Sequence, residues 1–221
     1  RNLRMPEGRR ALSYLKERGL DDDTITKFRL GFAPNTRGAL KGSLAKDEVP
    51  EDLMIAAGML IRPDDPNREA YDRFRGRVVF PIMDVRGRPV AFGGRIMGEG
   101  EPKYLNSADT PLFHKGHMLY GMDLARTPAA KAREIIVAEG YMDVIALAQA
   151  GLHNAVAPLG TAMTDSQIEL LWRAAPEPVL CFDGDSAGQK AALRVAERAL
   201  PLLKPGFSLR FAMMPAGEDP D

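Results

Sequence analysis

The sequence has 221 residues, 45 % of them apolar, enough to bury the core of one large domain or two small ones. Thirty basic and thirty acidic side chains cancel, so overall charge argues for neither a polyanion nor a membrane partner. Cys181 is the single cysteine, which excludes an internal disulfide and a cysteine-built zinc site. No apolar run is long enough to span a bilayer, and residues 1 to 10 hold no apolar signal core. A reducing cytoplasm, with no membrane partner, is the expected setting.

Charge is unevenly distributed along the chain. Residues 134 to 221 hold twelve acidic and six basic side chains, so residues 1 to 133 carry the matching positive excess. In the first part, helices are expected near 7–18, 23–28 and 51–57, the first and last closed by Gly19 and Gly58. A hairpin pattern follows at 77–83 and 89–97, rich in Val, Ile and Phe, with a turn at Arg86 and Gly87. Six arginines (Arg73, Arg75, Arg77, Arg86, Arg88, Arg95) fall in this region against one acid, Asp84. If the segment from Arg73 to Arg77 is extended, its arginines share one face and could meet a polyanion together. This part reads as an α+β subdomain with a basic face, over residues 1–118.

A change of rhythm near 119–133 sets off a second subdomain, 119–221, with its core at about 133–215. Its strands are expected at 135–138, 154–157, 179–182 and 208–214, and its helices at about 142–150, from Thr164, and at 189–200, ended by Pro201. Thr164 and Gln167 have the spacing of a capping box. Strands alternating with helices imply a parallel sheet covered on both faces, an α/β architecture.

In such a sheet the chemistry sits just beyond the carboxyl ends of the strands, and those positions are acidic here. Glu139 and Asp143 follow the first strand, Asp183 and Asp185 the third, Asp219 and Asp221 the fourth. Six carboxylates converging on one edge would repel one another without a counter-ion. Oxygen ligands suit Mg²⁺ or Mn²⁺, and the absence of well-placed Cys or His argues against zinc. Two such ions could serve a phosphoryl transfer. The competing reading is that each acid merely caps a helix, but a cap needs one acid and these come in pairs. His114 and His117 have a Gly between them and no third ligand, and read as surface residues.

The motifs Glu139-Gly140-Tyr141-Met142-Asp143 and Asp183-Gly184-Asp185 resemble the two acidic motifs of the Toprim fold, shared by primases, topoisomerases and some nucleases. Upstream, Tyr71-Asp72-Arg73-Phe74-Arg75, Phe92-Gly93-Gly94-Arg95, Pro102-Lys103-Tyr104-Leu105-Asn106-Ser107 and Phe113-His114-Lys115-Gly116 resemble successive motifs of the DnaG family of bacterial primases. The resemblance runs nearly end to end. It implies a Toprim-type parallel sheet preceded by a smaller α+β subdomain. It implies an enzyme that makes short RNA primers on single-stranded DNA from nucleoside triphosphates during replication, with Mg²⁺ as cofactor and Mn²⁺ as an alternative. Glu139, Asp183 and Asp185 then become metal and catalytic residues, with Asp143, Asp219 and Asp221 supporting. Lys103 and Lys115 are implied catalytic cations. Lys103, Tyr104, Asn106, Lys115, Arg73, Arg75 and Arg95 form a face toward template and nucleotide, where cations neutralise phosphates and rings stack bases. The family's cysteine zinc module and its helicase-binding C-terminal domain are not in the sequence, which reads as an excised part of a longer bacterial protein, nucleoid-associated during replication.

Three other readings remain. A haloacid-dehalogenase-type phosphatase would place its aspartate pair on the first strand, not the third. A Toprim-type nuclease would not need the Lys103 and Lys115 motifs. A metal-dependent or non-catalytic nucleic-acid-binding module would not need so many carboxylates.

Overall fold

The structure is a computed structural model that describes residues 1–160 and 162–215. Two compact units share the chain, Arg1–Ile82 with Pro89–Phe113, and Met83–Arg88 with His114–Asp221. Each is built from its own sheet.

The first unit opens with α1 (Arg9–Glu17), which buries Ala11 and Leu15, and α2 (Asp22–Lys27), whose N-cap Asp21 accepts from the Thr24 amide at 2.7 Å. Next come β1 (Gly31–Ala33), α3 (Ala39–Lys46), α4 (Glu51–Ala56), β2 (Leu60–Ile61), β3 (Tyr71–Asp72), β4 (Arg77–Met83), β5 (Pro89–Ile96) and β6 (Tyr104–Asn106). The sheet runs β1-β4-β5-β6, with β1 and β6 antiparallel to their neighbours. The alternation read in 77–83 is real: Val78, Phe80 and Ile82 are fully buried while the residues between them are less so.

Helix α3 is held from a distance. Its own N-cap, Gly38, has no side chain to offer, and the buried carboxylate of Asp72 on β3 accepts from the Leu40 and Lys41 amides at 2.7 and 2.9 Å. A cap that lies 32 residues away leaves no local signal. Accordingly α3 escapes a reading based on neighbouring residues.

The second unit adds β7 (Leu119–Tyr120), α5 (Met122–Ala132), β8 (Ile136–Val137), α6 (Tyr141–Gln149), β9 (Ala155–Pro158), α7 (Asp165–Ala174), β10 (Val179–Phe182), α8 (Ser186–Ala199) and β11 (Arg210–Met213). Its sheet runs β11-β10-β8-β9-β7. The four expected strands are mutually parallel, and β7 is an additional antiparallel edge. Side chains of β8, β9 and β10 (Val137, Val156, Leu180, Phe182) form one core with residues of α5, α7 and α8. The capping box at Thr164 and Gln167 is present, and Gln167 also donates to the Lys115 and Met118 carbonyls. One boundary needs correction: α8 begins at Ser186, not Gln189, because Asp185 caps it.

Candidate acidic active site and basic face

The acids of the second unit lie where parallel strands end. Glu139 follows β8, and its Oε1 accepts a 3.0 Å hydrogen bond from the backbone amide of Asp183, which follows β10. Strands β8 and β10 are direct neighbours, so the two acidic motifs are joined across one strand spacing. Asp143 turns back along α6, its Oδ2 accepting from the Gly140 amide at 2.7 Å. Asp185 uses Oδ1 for both the Ala187 and Gly188 amides at 2.8 Å, the geometry of a helix N-cap. Gly184 is required by crowding: a Cβ there would stand 2.4 Å from the Met214 and Pro215 carbonyl oxygens. The loop thereby lies against the end of β11. Asp219 and Asp221 fall outside the described residues.

Four of the six expected carboxylates, Glu139, Asp143, Asp183 and Asp185, lie among the described residues. Among the described residues, no three His, Cys, Asp or Glu side chains are grouped as a metal cage. Asp143 and Asp185 accept from backbone N–H groups of their own motifs, whereas Glu139 accepts from the Asp183 amide of the other motif. The donor chemistry still fits a hard divalent cation. A carboxylate has about four lone-pair sites, so one N–H bond leaves most of its acceptor capacity, and Mg²⁺ commonly takes only one or two carboxylates with several waters. A cleft of about 590 Å³ opens beside Glu139, walled by Met163, Phe182, Val195, Arg194 and Arg198.

The basic residues of the first unit differ in exposure, with Arg77 buried, Arg73 and Arg95 half-buried, and Arg75 and Lys103 exposed. Residues 73–76 are bends and loop, not strand, so the expected alternation is lost. Arg73 turns inward, its Nε and Nη2 donating to the Asn106 carbonyl at 3.3 and 2.8 Å, and burial holds its pKa below the usual guanidinium value. Arg77 is buried and donates to the Gly94 and Lys103 carbonyls at 3.0 and 3.3 Å. Arg95 lies 4.1 Å from the Tyr14 ring centroid, donates to the Ile96 carbonyl, and pairs in register with Tyr104. Burial, reinforced by Tyr14, pushes the Tyr104 phenol up, while Arg95 opposes the shift. The motif glycine Gly94 answers to Phe74, whose ring carbon would stand 2.7 Å from an added Cβ.

Arg75, Lys103 and Tyr104 are exposed, as is Lys115 in the second unit. Arg75 lies 5.0 Å from the Tyr71 ring centroid, and exposed Arg37, which motif reading passed over, lies 4.9 Å from the same ring. Arg37 sits in a loop of varied composition between β1 and α3, and only the ring it shares with Arg75 reveals it.

Comparison with known proteins decides the family. The profile of the DNA primase catalytic core, N-terminal domain, matches residues 1–126, and that of the Toprim domain matches residues 133–212. This chain belongs to the DNA primase catalytic core family. A DNA primase of Pseudomonas putida is 51 % identical over 216 residues, 98 % of this chain and 33 % of the relative. The crystal structure of a DNA primase domain from Pseudomonas aeruginosa superposes with a TM-score of 0.93 at 50 % identity, covering 99 % of this chain and 68 % of that one. The structure of the DnaG primase catalytic domain bound to ssDNA gives a TM-score of 0.88 at 46 % identity, with 99 % and 68 % covered. The chain thus spans about a third of the length of the curated primases it matches. The family assignment and the α/β Toprim fold inferred from the motifs both hold. Among the described residues, no helix is long and apolar enough to cross a membrane.

Proposed function

We propose that this chain is the catalytic portion of a bacterial DNA primase, which builds short RNA primers on single-stranded DNA from nucleoside triphosphates during replication. One observation carries the reading: the Glu139 carboxylate is bound to the Asp183 amide, joining the two acidic motifs at the ends of adjacent parallel strands. In α/β sheets that edge is where catalysis is placed.

Glu139, Asp183 and Asp185 would hold the divalent cation, Mg²⁺ or Mn²⁺, with Asp143, Asp219 and Asp221 supporting. Bound there, the ion supplies positive charge for the attacking and leaving oxygens of phosphoryl transfer. The chain's own residues supply the frame. The Asp183 amide orients the Glu139 carboxylate, and the α8 N-terminus fixes Asp185 through its Oδ1. On this reading Arg75, Lys103 and Lys115, each exposed, would neutralise phosphates, Asn106 would position nucleotide, and Tyr104, 39 % exposed, would stack a base. Arg73 and Arg95 serve the basic face by shaping it. The RNA primer is the product. A replicative helicase would be met through a C-terminal domain of the longer protein, working in the bacterial cytoplasm at the nucleoid.

The test is primer synthesis from labelled ribonucleotides on single-stranded DNA, with and without Mg²⁺, in a longer chain that primes. Asp183→Asn and Asp185→Asn keep size and capping ability but remove charge. Each is expected to lower priming roughly a thousandfold, as loss of metal stabilisation requires, with the fold intact by circular dichroism. Near-native priming by both variants overturns the assignment.

A further inference from the structure

A second cleft lies wholly within the first unit. It has a volume of about 290 Å³, close to the lower end of ligand pockets, and its walls are the side chains of Phe32, Pro34, Leu40, Met59, Phe74 and Phe92. Phe32, Pro34, Leu40, Met59 and Phe92 are half-buried, so the cleft presents an open apolar surface. Phe74 and Phe92 meet edge to face with ring centroids 6.3 Å apart, and both line the cleft. Asp72 also lines it, but both its carboxylate oxygens are engaged by the Leu40 and Lys41 amides. The cleft therefore offers planar apolar contact, with its one charge already satisfied.

Its surroundings carry the opposite chemistry. Arg37 lies in the chain between the wall residues Pro34 and Ala39, and Arg75 directly follows the wall residue Phe74. Both guanidiniums stand about 5 Å from the Tyr71 ring, one residue from Asp72. Both arginines are exposed, and such stacking orders a cation without consuming its donors. An aromatic-walled slot beside ordered cations is the combination that holds single-stranded nucleic acid, rings taking a base and guanidiniums the phosphates. An apolar peptide would use the slot but would have no need of two exposed guanidiniums carried by residues close in the chain to its wall.

We infer that this cleft receives one base of the single-stranded DNA template, whose neighbouring phosphates lie on Arg37 and Arg75. The inference rests on the template-binding reading proposed above and adds a base-accepting subsite to it. Recognition is by ring surface, so it carries no sequence preference.

Two variants test it in the full chain. Ser43→Leu, at an exposed position of α3 on the cleft, places a branched aliphatic group in its mouth. Phe32→Leu keeps apolar volume and removes the ring. Binding of each is measured by fluorescence anisotropy against a labelled thymidine oligonucleotide and an abasic strand of equal length, with melting curves on the same preparations. Each variant is expected to lose about tenfold on the strand with bases, the value of one stacked base, and nothing on the abasic strand, with an unchanged slope of affinity against salt. Undiminished binding of the strand with bases by Ser43→Leu overturns the inference, as does an equal loss on both strands. If the unaltered chain binds neither strand, the template-binding reading fails first; if it binds with normal salt dependence and only the variants are neutral, the cleft alone is wrong.

Discussion

The two units treat charge in opposite ways. In the first, Arg73 and Arg77 are turned inward onto the carbonyls of Asn106, Gly94 and Lys103, and Arg95 lies against Tyr14. In the second, acids stand where β8 and β10 end, with Glu139 accepting from the Asp183 amide and Asp185 from the Ala187 and Gly188 amides. A motif residue can thus be retained for opposite reasons. Arginines tie the strands and bends of one sheet together, whereas carboxylates at the other sheet's edge accept from backbone amides. Arg37 and Arg75, exposed over the Tyr71 ring, are the cations that the proposed template binding would use.

The largest effect expected from this contrast is at Arg77. Arg77→Ala leaves two carbonyls without their donor in a buried site, and a loss of about 3 kcal/mol is expected by urea unfolding. An equally stable variant would mean that the guanidinium is surplus to the sheet. Arg73 and Arg75 sharpen the distinction, being two residues apart with different duties. Arg73→Ala is expected to cost about 1–2 kcal/mol of stability. Arg75→Ala should leave melting unchanged and flatten the salt dependence of single-stranded DNA binding by about 0.7 in log-log slope. Reversed results would move Arg73 to the DNA and Arg75 to the fold.

A smaller effect is expected at high pH. Burial pushes the Tyr120 phenol well above its usual value, with Tyr141 and Asp123 adding to the shift. Because the folded pKa is raised, its stabilising contribution is fully present below the unfolded value, about 10, and is lost as pH rises through the folded one. Melting temperature followed from pH 8 to 11 should fall more steeply in the unaltered chain than in Tyr120→Phe. Parallel curves would show that the phenol does not control the alkaline limb.

The elements that could be read from sequence are those whose signal is local. Strand β10 was expected at 179–182 and occurs there, since four consecutive apolar residues between Pro178 and Asp183 leave little choice. The capping box at Thr164 is equally local. What was hidden depends on distant partners. The two residues of β7 are a strand only through pairing with β9. Pro128 lies inside α5 and disguises it, while Gly42 and a remote cap disguise α3. The same division runs through the site. The acids announce themselves by spacing, but the amides that bind Glu139, Asp143 and Asp185 do not. A shared strand face for the arginines of residues 73–77 depended on extended backbone, and residues 73–76 are bends and loop instead of strand.

The central claim is that the acids following β8 and β10 form a divalent-cation site. Its most direct test is the melting temperature of this chain as Mg²⁺ or Mn²⁺ is raised to millimolar concentration, beside Glu139→Gln and Asp183→Asn. An ion that binds only the folded state stabilises it, and each kcal/mol should raise melting by about 2–4 °C in a chain of this size. The account predicts a saturable rise of several degrees in the unaltered chain and little or none in either variant. A melting temperature indifferent to both ions, or one that rises equally in all three proteins, would contradict it.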